Sequence, residues 1–142
     1  MDIDLIRSKQ DSIARSVQRV QSKAGLSREV LLEDRDAQDV IVLNLERAVQ
    51  QAVDVAAHIL AETTEPVPET MRAAFTGLRR IGALTDETAD RMMKAVGFRN
   101  TAVHAYQEID WDIVQSIVAE RLCDFSQFVR EIDLFLEKSA RT

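Results

Sequence analysis

Between Asp36 and Thr63 lies the longest apolar stretch of the chain, and it leaves few folds open. A helix over it is about 40 Å long at 1.5 Å per residue. Val40, Ile41, Val42, Leu43, Leu45, Val49, Val53, Val55, Ala56, Ile59 and Leu60 cover more than one side of such a helix. A helix apolar on most sides sits at the centre of a bundle or against a second chain. Its polar exceptions, Arg47, Gln51, Asp54 and His58, are spaced four, three and four and form a polar line. That line faces water, or it lines a cleft beside the stretch around Arg99.

The rest of the chain supplies partners for this helix. Ile6, Ile13, Val17, Val20 and Ala24 recur at helical spacing, which predicts a first helix over about Asp4 to Ala24, with Gly25 just past its end. Ser27 caps a short turn through Leu32, and Asp34 or Asp36 caps the long helix. Thr63 to Pro68 holds both prolines and is the one clear loop. Pro68 fits the first turn of a third helix, which carries Met71, Phe75, Leu78 and Ile81 and stops at Gly82. Thr85 caps a fourth, with Asp86 and Glu87 in the first turn, where the helix dipole favours acids. Asp110 caps a fifth, and Ile113, Ile117, Leu122, Phe125, Val129, Ile132 and Leu136 carry it unbroken towards the C-terminus. The expected fold is all-α, a single domain over residues 1–142. It is an antiparallel bundle of four main helices plus a short helix, with wide apolar faces that suggest a homodimer.

Four glycines and two prolines suit long elements rather than a turn-rich β sandwich. The single cysteine, Cys123, excludes an intrachain disulfide and a multi-cysteine metal site. Met1 to Ala24 is charged throughout, unlike a signal peptide, and no run approaches the ~18 apolar residues of a membrane span. The expected location is the reduced cytoplasm, away from membranes. The net charge of −6 argues against binding nucleic acid through a broad basic face. It leaves room for a local site, because Arg79 to Arg99 holds five basic residues against three acids.

The chemistry concentrates in Gly97-Phe98-Arg99-Asn100-Thr101-Ala102-Val103-His104-Ala105-Tyr106. Arg99 is a fixed planar cation, His104 titrates near neutrality, and Tyr106 offers a phenol. On a regular helix Asn100 and His104 share a face, whereas Arg99 and His104 differ by about 140°. Tyr106 comes near His104 only if the helix ends or bends near Ala105, or if two chains build the site together. An arginine that grips phosphoryl oxygens and a histidine that moves a proton suit metal-free RNA cleavage. The same residues also fit plainer roles. Arg99 can pair with Asp90 or Glu87, His104 can bond a backbone carbonyl, and Tyr106 can be a core ring with its hydroxyl at the rim. His58 beside Asp54 reads as structural, and two distant histidines do not make a metal site.

The stretch Arg99 to Tyr106 resembles the Arg-x4-His-x-Tyr motif of HepT-type proteins in the HEPN superfamily. Gln38-Asp39-Val40, Val42-Leu43-Asn44-Leu45 and Asp54-Val55-Ala56-Ala57-His58 look like that family's long second helix. Val67-Pro68-Glu69, Val96-Gly97-Phe98-Arg99-Asn100 and Ile109-Asp110-Trp111 are similar too. The resemblance implies the toxin of a type VII-like toxin–antitoxin pair, a homodimeric ribonuclease needing no metal or other cofactor. It implies catalysis by Arg99 and His104 across a dimer cleft, with Asn100 in support at the RNA. It also implies a nucleotidyltransferase antitoxin of the MNT type that transfers AMP to Tyr106. Ala105 departs from the polar or acidic residue frequent in such motifs. The alternative is a non-catalytic nucleotide-binding or adaptor subunit of a nucleotidyltransferase complex. The enzyme needs Arg99 and His104 open to solvent, whereas the adaptor tolerates them buried. A scaffold without chemistry would lock Arg99 in an ion pair.

Overall fold

The computed structural model describes residues 1–141, and among them every regular element is helical. The α-helices are α1 (Ile3–Gln21), α2 (Arg28–Glu33), α3 (Arg35–Leu60), α4 (Met71–Arg80), α5 (Asp86–His104), α6 (Trp111–Ser116) and α7 (Cys123–Ala140). A 3₁₀ turn, Tyr106–Glu108, follows α5, and a π-helical segment, Ile117–Arg121, joins α6 to α7. No helix among the described residues is long and apolar enough to cross a membrane.

The long apolar helix is the centre of the bundle. Ile41, Leu45, Val49, Ala52, Val55, Ala56 and Ile59 are all buried, and α3 packs against α1, α2, α4 and α5. The breadth of its apolar face is therefore used largely within one chain, although Leu43 stays exposed. Lys9 meets Asp54 and the Met1 amino group meets Glu62, so α1 runs antiparallel to α3. Thr88 meets Glu131 and Arg91 meets Asp124, which sets α7 antiparallel to α5. Asp39 meets Tyr106 at one end of the molecule, while Leu60 lies against Gly77 towards the other. The four long helices α1, α3, α5 and α7 thus make the expected antiparallel bundle. The shorter α4 is antiparallel to α5, with Thr76 at Met93 and Arg79 at Asp86 and Asp90. It therefore runs parallel to α3, and the loop over 61–70 returns alongside it, pinned where Arg80 meets Glu65 at 3.6 Å.

Element ends depart from the sequence reading where a local hydrogen bond outweighs the louder residue. Pro68 is not in a helix: α4 starts at Met71, because the Thr70 side chain accepts from the Ala73 amide at 3.0 Å and caps it. α1 stops at Gln21 rather than Ala24, and the Lys23 and Ala24 amides close its end with tight turns to Val20 and Gln21. Gly25 is not a left-handed stop; among the described residues only Gly82 takes positive φ, +81°, just past α4. α3 ends at Leu60, not Thr63, whose hydroxyl donates back to the Leu60 carbonyl at 2.7 Å. The fifth helix of the sequence reading is broken. Its stripe steps by five between Ile117 and Leu122, and the π-helical segment takes up that extra residue.

Candidate active site

The motif lies on the second half of α5, and the first half holds it in place. Thr85 caps the helix by accepting from the Thr88 amide at 3.2 Å. Glu131 of α7 accepts from the Thr85 amide at 2.7 Å, from the Thr88 hydroxyl and from the Gln127 side chain. Burial pushes the Glu131 carboxyl up, but these donors together outweigh it and hold its pKa below the usual glutamate value. Arg91 bridges Glu87 at 2.7 Å and Asp124 at 3.0 Å. Met92 and Val96 are fully packed into the core, and Ala102 continues that burial into the motif.

Beyond Val96 the ion pairs cease. Arg99 is half-buried, and its one bond is Nη1 donating to Asn100 Oδ1 at 3.3 Å. It forms no ion pair among the described residues; Asp90 and Glu87 are taken by Arg79 and Arg91 instead. His104 is the last residue of α5, exposed, with no side-chain partner among the described residues. The helix stops there because Ala105 turns to φ −147°, ψ 55° while its amide still bonds the Thr101 carbonyl at 2.8 Å. The end falls near Ala105, one of the two arrangements that the sequence left open.

Tyr106 then leaves the helix and stands 40% exposed. Its ring meets Trp111 edge to face, centroids 6.1 Å apart, and its hydroxyl donates to Asp39 Oδ1 of α3 at 3.1 Å. Partial burial, the bond to Asp39, and the charges of Asp39 and Glu46 hold the phenol pKa above its ordinary value. It is therefore a neutral hydroxyl at physiological pH, open to a reagent from solvent.

Arg99 and Asn100 thus touch, Asn100 and His104 share a face, and the α-carbons of Arg99 and His104 differ by about 140° around the helix. Two members of the polar line on α3, Asp54 and His58, do not join them. Asp54 and His58 lie against α1 beside Leu5, Ile6 and Lys9, with Lys9 Nζ 3.4 Å from Asp54. His58 Nε2 is buried without a partner, a structural position. Sequence spacing missed Asp39, 67 residues from Tyr106, and it missed Trp111 as the ring's neighbour. No group of three His, Cys, Asp or Glu among the described residues is placed to hold a metal.

Comparison with known proteins bears on the same residues. The family described as "Ribonuclease HepT-like" matches residues 13–132. The mRNA nuclease HepT of Shewanella oneidensis is 36% identical over 126 residues, covering 89% of this chain and 94% of that protein. The tRNA nuclease HepT of Aphanizomenon flos-aquae is 26% identical over 132 residues, covering 93% and 90%. Among solved structures, a tri-AMPylated Shewanella oneidensis HEPN toxin in complex with MNT antitoxin superposes with TM-score 0.86 at 35% identity. That superposition covers 94% of this chain and 99% of the other.

Proposed function

The chain belongs to the HepT-like ribonuclease family, and on that premise we propose that it is the toxin of a toxin–antitoxin pair. It cuts RNA without a metal ion and is silenced by AMP transfer to Tyr106 from a nucleotidyltransferase antitoxin of the MNT type. The observation that carries this reading is the state of Arg99 and His104. Neither forms an ion pair among the described residues; Arg99 is braced by Asn100 at 3.3 Å, and His104 is open to solvent. A scaffold would have locked Arg99 in an ion pair, and an adaptor has no need to leave either group free.

The roles follow from the chemistry of each group. His104 takes the proton from a ribose 2′-hydroxyl as that oxygen attacks the adjacent phosphorus. Arg99 meets the charge that grows on the phosphoryl oxygens, with Asn100 holding its guanidinium. The 5′-oxygen leaves with a proton, and the products are a 2′,3′-cyclic phosphate and a free 5′-hydroxyl. Arg99 and His104 diverge by about 140° within one chain. A homodimer that sets two α5 ends face to face would bring the arginine of one copy to the histidine of the other. An adenylyl group on Tyr106 adds negative charge at this end of α5 and repels the RNA backbone.

The test is cleavage of RNA in EDTA by unmodified parent, Arg99→Ala and His104→Ala. Cleavage by the parent that both variants lose, leaving cyclic phosphate ends, is the expected result. A folded, unmodified parent that leaves all cellular RNA intact would sink the reading and favour the adaptor. Incubation with the antitoxin and ATP should add AMP mass to the parent and none to Tyr106→Phe.

A further inference from the structure

We propose that Arg72 of α4 is a second RNA-binding group, gripping a phosphate next to the one that is cut. The inference rests on the ribonuclease reading of α5 and extends it to a residue outside the motif. Met93, Gly97, Asn100 and His104 follow one another at steps of four, three and four, so they line one face of α5. α4 covers the first part of that face and begins at Met71, so the face opens beyond Arg72. The Arg72 side chain lies along it there. Its Nε donates to the Met93 carbonyl at 3.4 Å, and its Nη2 rests over Gly97.

Gly97 makes this possible. A Cβ at that position would stand 2.9 Å from Arg72 Nη2, so the guanidinium, the far end of a flexible side chain, would have to move aside. The absent side chain leaves a seat for the guanidinium on the helix surface.

The charge of Arg72 has no partner. It is exposed and forms no ion pair among the described residues, while Arg79, Arg80 and Arg91 all do. One long bond to a carbonyl uses one of the five N–H donors of a guanidinium. Arg72 is exposed as a residue, and its guanidinium lies over Gly97 on the line that leads to Asn100 and His104. From Gly97 to His104 is about 10 Å along the helix, so Arg72 reaches a neighbouring phosphate rather than the scissile one. In a chain of net charge −6, a cation set on this line matters more than it would on a basic protein.

The experiment compares parent, Arg72→Ala, Arg72→Lys and Gly97→Ala, unmodified and in EDTA, on one RNA oligomer. Arg72→Ala should raise KM about tenfold, with a smaller effect on kcat, as loss of a phosphate contact does. Arg72→Lys should recover part of the loss, and Gly97→Ala, which makes the guanidinium shift, should raise KM by less than Arg72→Ala does. In parallel, RNA binding is titrated against salt on a His104→Ala background, where no cleavage interferes. There Arg72→Ala should lower the magnitude of the log–log slope by about 0.7, the value for one phosphate on a single strand. A parental KM and salt slope in Arg72→Ala would overturn the proposal while leaving the ribonuclease intact. So would a fall in kcat alone. A parent that cuts no RNA counts against the ribonuclease reading instead, and the salt slope still judges Arg72.

Discussion

From Asp86 to Val96, α5 pairs four of its five charged side chains: Asp86 and Asp90 with Arg79, Glu87 with Arg91, and Arg91 also with Asp124, while Lys94 stays exposed. From Gly97 to His104 the same helix carries Arg99 and His104 with no acidic partner among the described residues. One half is fixed by apolar burial and ion pairs, the other by the burial of Ala102 and the packing of Phe98, with no ion pair among the described residues. The anchored half explains how the free half stays oriented without using its own polar groups.

The comparison can be broken by exchanging the two kinds of residue. His104→Ala and Arg99→Ala should each lower RNA cleavage by about 10²- to 10⁴-fold, with thermal midpoints near the parent's. Large losses of stability would mean that these groups hold the fold after all. Met92→Ala in the anchored half should behave the opposite way. It should cost about 2–5 kcal/mol in urea unfolding and leave cleavage per folded molecule near parental.

Glu131 sharpens the contrast. Glu131→Gln replaces a charged acceptor of three donors and should cost about 1–3 kcal/mol. The folded-state pKa of this carboxyl is depressed, so its contribution is complete above the ordinary glutamate value and is lost as pH falls through the folded value. Parent stability should therefore drop on acidification below that range more steeply than that of Glu131→Gln, as read by denaturant midpoints. Next in size, Tyr106 should titrate above the usual tyrosine range in ultraviolet difference spectra, and Asp39→Asn should lower it only in part, because burial is the larger cause. The smallest effect belongs to Arg79→Ala, whose 3.9 Å pairs are exposed and should be worth less than about 0.5 kcal/mol.

What was legible in the sequence was local. Ser27, Asp34, Thr85 and Asp110 all cap the helices that their spacing indicated, since a cap and its amide lie within three residues. The α5 break at Ala105 was readable because Asp110 had to start another helix so soon after. Pro68 misled because a proline is a stronger signal than Thr70 beside it. The π-helical segment left a trace, the step of five from Ile117 to Leu122, which a search for a continuous stripe passes over. The parallel run of α4 beside α3, the Asp39 bond to Tyr106 and the Arg72 seat on Gly97 left none. Each is a meeting of distant segments, and helical periodicity says only which face is apolar, not what comes to lie against it.

Gln10 of α1 donates to Asp133 of α7 at 3.0 Å, joining positions 123 residues apart. Such a contact comes late in folding, because the ends of a long segment must first be brought together. On a ribosome, α1 can pair with α3 well before α7 emerges. Until α7 arrives, α5 lacks Glu131 and Asp124, so its first half is not yet anchored. Arg99 and His104 are synthesised before α7, and the contacts of Glu131 and Asp124 with the first half of α5 form only once α7 is present. The order of synthesis therefore separates the making of this end of α5 from its readiness.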